Sequence, residues 1–554
     1  MSETVPVSLE ISIGATPSGG TRSATSTPSA TRPTGRTGAW WTPLSIAVVV
    51  GLALRVGYLY LYRHNMGPTG DALYYHLQSN LLASGKGFID PYSLYYTSKV
   101  VPGASHPPLW TLVLALGGVL GIKSFFGQLL YSAAIGALSV ALVAMAAREV
   151  AGRRAGLVAA GITALYPVFV IDDGSLLAET IVVPLVALVV WAFYRLWHRP
   201  SLLRAALLGA LCTLCALTRS ELVLLAIFLA VPAGLLCRGL AWRKRLGLCA
   251  ASLIAALCVF APWWAYTLPR FSHPEFLSDQ LGITLASANC NQTYHGRLLG
   301  YWSFACARGP TKPGEDASTA DKVLRTSALH YIDHHLGRVP VVMAARFGRA
   351  FGVFVPWQEI DLEWARIGRP RLPATIGLFS YYGLAVFAIG GAVVLRRRRV
   401  TLFPAGIILG EVVLVAVAIF GQTRYRTPLD VVLVVLSGAA VDHLIQQRSR
   451  GPGKHAVRSR GAPPPGAAAP QSPPQQESTP LPESTPTLLS PAPPQSTSPP
   501  QLSLSSELSP SEQLMPASEP TPHPTRGDPF EIDHSSPMLG GITAAPDVDI
   551  DPTR

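Results

Sequence analysis

The sequence predicts an all-α polytopic membrane protein, and three observations carry that prediction. Only 14% of the 554 residues are charged, against roughly a quarter in soluble domains. Mean hydropathy is +0.32. Apolar runs long enough to cross a bilayer recur along the chain, separated by short basic clusters. The net charge of +12 does not point to nucleic acid. The basic residues fall between apolar runs rather than on one soluble face, and no zinc-finger, P-loop or GxGxxG pattern is present.

Residues 1–39 are rich in Ser, Thr, Pro and Gly without an apolar period, and are expected to form a disordered tail. Trp41 to Tyr62 follows as an uncleaved signal-anchor, with Arg32 and Arg36 before it favouring a cytoplasmic N-terminus. Further spans are expected over Phe126–Ala147, Gly156–Ile171, Ala178–Trp197, Ala205–Leu217, Leu222–Cys237 and Leu246–Tyr266, and then over Ile376–Leu395, Thr401–Phe420 and Leu429–Ile445. Placing the strong basic clusters inside gives ten spans with both termini cytoplasmic. Pro107–Ile122 and Val339–Val355 then lie on the outer side as interfacial or re-entrant helices. Letting both cross gives twelve spans but puts Arg153 and Arg154 outside. Residues 448–554 form a Pro/Ser-rich tail, expected to be disordered and cytoplasmic. Residues 40–447 form the membrane domain, with a first outer loop over 63–125 and a large outer loop over 267–375.

This topology gathers polar residues on one side. Asp71 stands just past the first span. A carboxylate in a half-dry pocket suits a general base, because desolvation raises its basicity. It is equally placed to cap the helix expected over Ala72–Ser84. Tyr74, Tyr75, Tyr92, Tyr95 and Tyr96 share this loop; such aromatics stack on sugar rings, but they also form interfacial belts, which is the reading preferred for most of them. His106, before Pro107-Pro108, suits a structural or substrate-positioning role better than a metal, since no second ligand stands at metal-like spacing. Asp172 and Asp173 read either as a polar turn or as functional carboxylates, while Glu179 enters an apolar helix. Arg219 and Glu221 can pair with each other. Arg424 and Arg426 stand outside against the positive-inside trend and suit a phosphate, whether of a lipid-linked substrate or of a phospholipid head group. Cys290 and Cys306 lie in the outer loop, where a disulfide is plausible. Asn291-Gln292-Thr293 matches a glycosylation acceptor triplet. His330, Asp333, His334 and His335 look like a metal cluster, but adjacent His334 and His335 cannot share one helix face. No metal or cofactor is expected.

The ordered set of motifs resembles a known family. It comprises Gly70-Asp71-Ala72-x-x-Tyr75, a Leu-Ala-x-Gly-x-Gly-Phe run over Leu82–Phe88, His106-Pro107-Pro108-Leu109, Gly152-Arg153-Arg154-Ala155, a second loop leading to Glu179, and Arg424-Tyr425-Arg426-x-Pro428. Over Trp40 to Ile445 the chain resembles the family 39-type, GT-C fold glycosyltransferases. These include protein O-mannosyltransferases, lipid A aminoarabinose transferases and RgtA/B/C/D-like sugar transferases.

The resemblance implies an inverting hexosyl- or pentosyltransferase using a polyprenyl- or dolichyl-phosphate sugar at the outer face of a bacterial inner membrane. Asp71 would be the base, assisted by Glu179 or by Asp172 and Asp173. Tyr75, His106, Arg219, Glu221, Arg424 and Arg426 would contact substrate, with the late arginines on the lipid phosphate. The expected partners are that donor, membrane lipids, and a glycan, lipid or protein acceptor. The protein mannosyltransferases carry an early acidic pair, whereas here Ala72 follows Asp71, and no large soluble domain is evident. Both departures favour a glycan or lipid acceptor. The alternative from another class is a transporter or flippase of lipid-linked sugars, which should place ionisable groups at mid-membrane and often shows inverted repeats.

Overall fold

The computed structural model describes residues 38–237, 239–307, 316–419 and 421–449. These fall within one unit, Met1–Gly451. The two tails, apart from their innermost residues, lie outside the described residues. Among the described residues all regular structure is helical, with one isolated bridge between Ile89 and Pro102. The expected all-α polytopic membrane class is the one found.

In chain order the helices are α1 Gly38–Tyr62, α2 Asp71–Ala83, α3 Pro91–Thr97, α4 Pro108–Val119, α5 Phe125–Ala151, α6 Arg153–Leu165, α7 Pro167–Asp173, α8 Glu179–His198 and α9 Leu202–Ala216. An irregular helix α10, Ser220–Leu236, widens to a π turn over Ala226–Ala230. Then come α11 Trp242–Thr267, α12 Leu281–Ala288, α13 Ala317–His334, α14 Val339–Ala350, α15 Pro356–Ile367, α16 Arg371–Arg397, α17 Phe403–Ala418 and α18 Thr427–Ser449.

Among the described residues six helices are long and apolar enough to cross a membrane, and α6 with α7 makes a seventh if the bent pair is one span. The span expected over Gly156–Ile171 is therefore broken, with a bend of 57°. The cause is local. Pro167 has no amide hydrogen and disfavours helical backbone at the residue before it, so Tyr166 is extended at φ −70°, ψ 112°. Three further expected spans appear as the shorter apolar helices α9, α10 and α17. α4 and α14, of 12 residues each, coincide with the two stretches expected not to cross.

Small residues let the helices approach closely. A side chain at Gly136 of α5 would collide with the Asp173 carboxylate, and one at Gly391 of α16 with the α18 backbone at Leu436. The largest apolar cluster joins α5, α8, α9, α16 and α18 through residues such as Val143, Val186, Leu208, Leu384 and Val435. Large apolar side chains of α1, including Ile46, Val49 and Leu54, stay exposed on the protein, as a lipid-facing helix requires.

Helix direction sorts the polar termini. α8, α16 and α18 begin beside Glu179, Arg369 and Arg424 and end in Arg199, Arg396–Arg399 and Arg448. α9 and α11 run oppositely, from Arg204 and from Arg243-Lys244-Arg245 toward Arg219 and the large loop. Every one of these helices thus carries its basic cluster at the end away from the acidic and mixed-charge residues.

Candidate active site

α2 starts on Gly70, which caps it with φ +54°, a conformation glycine adopts without strain. Asp71 is the first helical residue and Gly70 holds the cap position, so the capping role open to Asp71 in the sequence is not the one it fills. Its carboxylate instead faces Arg424, 353 residues away, with Nη1 donating to Oδ2 at 2.8 Å. His106 Nε2 stands 4.0 Å from Oδ1. About a third of the Asp71 side chain is exposed (34%), against 15% for Arg424 and 17% for His106. The carboxylate is therefore the accessible member of the group.

Burial alone would raise the Asp71 pKa, but the Arg424 guanidinium and then His106 outweigh it and bring it down to about 2. The raised basicity expected from desolvation is thus overturned by an arginine partner. The His106 ring is driven below its usual range by burial, with Asp71 opposing and Arg424 adding to the fall. His106 stacks on Tyr75 at 4.9 Å and meets Tyr74 edge-on at 4.7 Å. Both tyrosines are buried, which removes them from the interfacial belt the sequence suggested.

The network continues from Arg424. Its Nε donates to Gln422, and its guanidinium lies 5.6 Å from the Tyr425 ring. Arg219 also lies over the Tyr425 ring, at 4.2 Å. Arg219 bonds Glu179 and, at 2.6 Å, Glu221. Asp172 accepts from Arg369 at 2.6 Å and from Thr427 at 3.2 Å. Arg369 also reaches Glu363, and Thr423 donates to the same glutamate at 2.6 Å. A small cavity of about 50 Å³ lies here, bordered by Glu359, Glu363, Arg369 and Thr423.

Two candidates stand apart. Asp173 turns to Arg55 of α1 at 2.6 Å, within the bundle. Arg426 is buried, pairs with Asp430 at 2.9 Å and lies over the Tyr381 ring at 3.4 Å. The two late arginines therefore have different environments, and only Arg424 faces Asp71. Cys290 and Cys306 are joined by a disulfide, Cα–Cα 6.1 Å. Thr293 of the glycosylation triplet is buried beside it. Among the described residues no three His, Cys, Asp or Glu side chains are grouped to hold a metal ion.

Arg369, Glu363 and Arg55 were not among the sequence candidates. One signal was available for Arg369: the large outer loop holds Arg346, Arg349, Arg366, Arg369 and Arg371 against the positive-inside trend, so each asks for a partner. Arg55, a charge inside an apolar run, carried a signal of the same kind.

Residues 105–266 match the family model described as dolichyl-phosphate-mannose-protein mannosyltransferase. That stretch holds His106, Asp172, Glu179 and Arg219; Asp71 and Arg424 lie outside it. No curated protein matches the chain in sequence. Similar solved structures include the Archaeoglobus fulgidus oligosaccharyltransferase tethered to an acceptor peptide (16% identity, 74% of this chain and 50% of that chain, TM-score 0.45). Another is the Archaeoglobus fulgidus oligosaccharyltransferase AglB in complex with an inhibitory peptide and a dolichol-phosphate (15%, 77% and 53%, 0.39). A third is ArnT from Cupriavidus metallidurans in the apo state (15%, 74% and 78%, 0.33). The chain spans about half the length of the oligosaccharyltransferases it matches. Over residues 105–266 the family match bears out the resemblance read from the sequence.

Proposed function

We propose that this chain is an integral membrane glycosyltransferase that moves a sugar from a polyprenyl-phosphate donor to a glycan, lipid or protein acceptor at the outer membrane face. The observation that carries the proposal is the meeting of Asp71, His106 and Arg424, drawn from distant segments, with an accessible carboxylate against an arginine. The acceptor hydroxyl oxygen attacks the anomeric carbon and forms the new C–O bond. The bond from that carbon to the phosphate oxygen breaks, polyprenyl phosphate leaves with its electron pair, and Asp71 takes the hydroxyl proton. Attack opposite the leaving phosphate inverts the anomeric centre.

Arg424 gives this scheme its timing. While it pairs with Asp71 the carboxylate is a weak base, as its lowered pKa records. A donor phosphate competes for the same guanidinium, since arginine binds phosphate bidentately. Once Arg424 turns to the phosphate, Asp71 keeps its partly buried setting without its partner, and its basicity rises. Glu179 and Glu221 hold Arg219 against Tyr425 and fix the far side of the site.

The orientation follows from the basic helix ends, which belong on the cytoplasmic side. With α9, α10 and α17 also crossing, this gives ten spans, both termini inside, and the site outside, at a bacterial inner membrane. The test is sugar transfer in proteoliposomes supplied with candidate polyprenyl-phosphate sugars. Asp71→Asn is expected to lose about 10²–10⁴-fold in rate. Transfer at the wild-type rate would overturn the assignment of the base.

A further inference from the structure

A row of tyrosines leaves the site along α3. It begins at Tyr92, whose hydroxyl donates to the Gly70 carbonyl at 2.9 Å, one residue before Asp71. The Tyr92 ring packs on buried Tyr74 at 5.8 Å. The row continues to Tyr96 at 6.4 Å and from there to Tyr95 at 5.0 Å. The last two rings are 61% and 65% exposed. α3 itself is firmly placed: Asp90 caps it by accepting from the Ser93 amide at 2.6 Å, and Pro91 opens it.

Such exposure asks for an occupant. The row is uncharged, so it offers no grip to a phosphate or an acidic chain. A peptide strand adds to an extended backbone edge, which a helix does not offer, and in α3 even the Thr97 hydroxyl bonds back to the Ser93 carbonyl. Sugar rings fit what remains. Their C–H faces lie on aromatic faces, and their hydroxyls exchange hydrogen bonds with phenol groups.

We propose that Tyr92, Tyr96 and Tyr95 form the acceptor subsite, which holds successive rings of a neutral saccharide chain whose terminal hydroxyl lies at Asp71. This deepens the glycosyltransferase reading and rests on it. It selects a glycan, or the glycan part of a glycolipid, among the possible acceptors. Continuity decides between this and a membrane anchor: the row starts against the backbone of the catalytic turn, whereas an anchor needs no such link.

The test uses the full chain in lipid nanodiscs and saturation-transfer NMR with two soluble probes, a manno-oligosaccharide series and an arabino-oligosaccharide series of graded length. At least one series is expected to bind, more tightly with length. The double variant Tyr95→Ala/Tyr96→Ala is expected to weaken that binding about tenfold, the sum of two modest stacking contributions, while Tyr95→Phe/Tyr96→Phe keeps it within about twofold. The proposal is overturned if neither series binds the wild type. It is equally overturned if the alanine variant binds as well as the wild type and only its thermal unfolding shifts, the result for a membrane anchor. Asp71→Asn separates the two readings. Full transfer activity in that variant defeats the catalytic assignment and leaves the binding result standing.

Discussion

Two groups of carboxylates flank the Ser105–His106 turn and hold their protons in opposite ways. On one side Asp71 meets Arg424 and His106. On the other, Asp279 donates its amide to the Ala104 carbonyl, which places it beside Ser105. Glu275 and Asp321 stand near Asp279, and all three are buried. Among the described residues Arg325 pairs with Asp321 at 4.0 Å, beyond hydrogen-bond reach. One oxygen each of Asp279 and Asp321 is buried without a hydrogen-bond partner.

Burial, and then neighbouring carboxylates, push Asp279 up to about 7 and Glu275 up to about 8. Asp71 is also subject to desolvation and yet is brought down to about 2. The difference is the arginine. A carboxylate beside the same turn is ionised or protonated according to whether a guanidinium reaches it, and only the ionised one, at neutral pH, is ready to take a proton when that guanidinium is drawn away.

The sharpest way to break this contrast is a matched pair of variants. Asp71→Asn removes the proposed proton acceptor, with the loss given above. Asp279→Asn replaces a carboxyl that is largely protonated below pH ~7 by a neutral isostere, and is expected to keep transfer within about threefold of wild type. Comparable losses in both would erase the distinction. A second variant probes the arginine side alone. Arg369→Met leaves Asp172 and Glu363 buried without their shared partner. Chemical denaturation in detergent is expected to show a loss of about 3–5 kcal/mol, and replacing Asp172 by Asn in the same chain should restore part of it.

A smaller effect lies in pH. For Glu275 and Asp279 the folded pKa is raised, so their contribution to stability is complete below the unfolded carboxylate range near pH 4. It is lost as pH rises through about 7 to 8. Asp71, with its pKa lowered, contributes above that range and loses its contribution only as pH falls toward about 2. Thermal unfolding followed from pH ~5 to ~9 should therefore show stability declining, and the decline should flatten in Glu275→Gln/Asp279→Asn. A flat wild-type profile would remove the contrast.

The fold was legible in the sequence because hydrophobic run length and basic clusters are local signals. The break at Pro167 was also written there, in a proline inside an apolar run, although the span was expected to continue through it. The site was legible only in part. Asp71, His106, Glu179, Arg219 and Arg424 carried signals of their own, as charges or a histidine at helix ends. Their mutual pairing did not, since the 353 residues between Asp71 and Arg424 are closed by packing that no local pattern encodes. For the same reason Arg426 looked equivalent to Arg424 until Asp430 and Tyr381 were seen to enclose it. The lowered basicity of Asp71 was not legible, because burial is visible in a sequence context and a distant arginine is not.

The most direct test is a carbon-13 NMR measurement on the full chain in nanodiscs with labelled aspartate carboxyls, recorded at pH ~5, between the two shifted values. Asp71→Asn and Asp279→Asn assign the two resonances. The account predicts an ionised Asp71 and a protonated Asp279 in the same sample, and predicts that adding polyprenyl phosphate moves the titration of Asp71 upward while leaving Asp279 in place. Two carboxyls titrating together in the ordinary range, or an Asp71 resonance indifferent to the lipid phosphate, would contradict it.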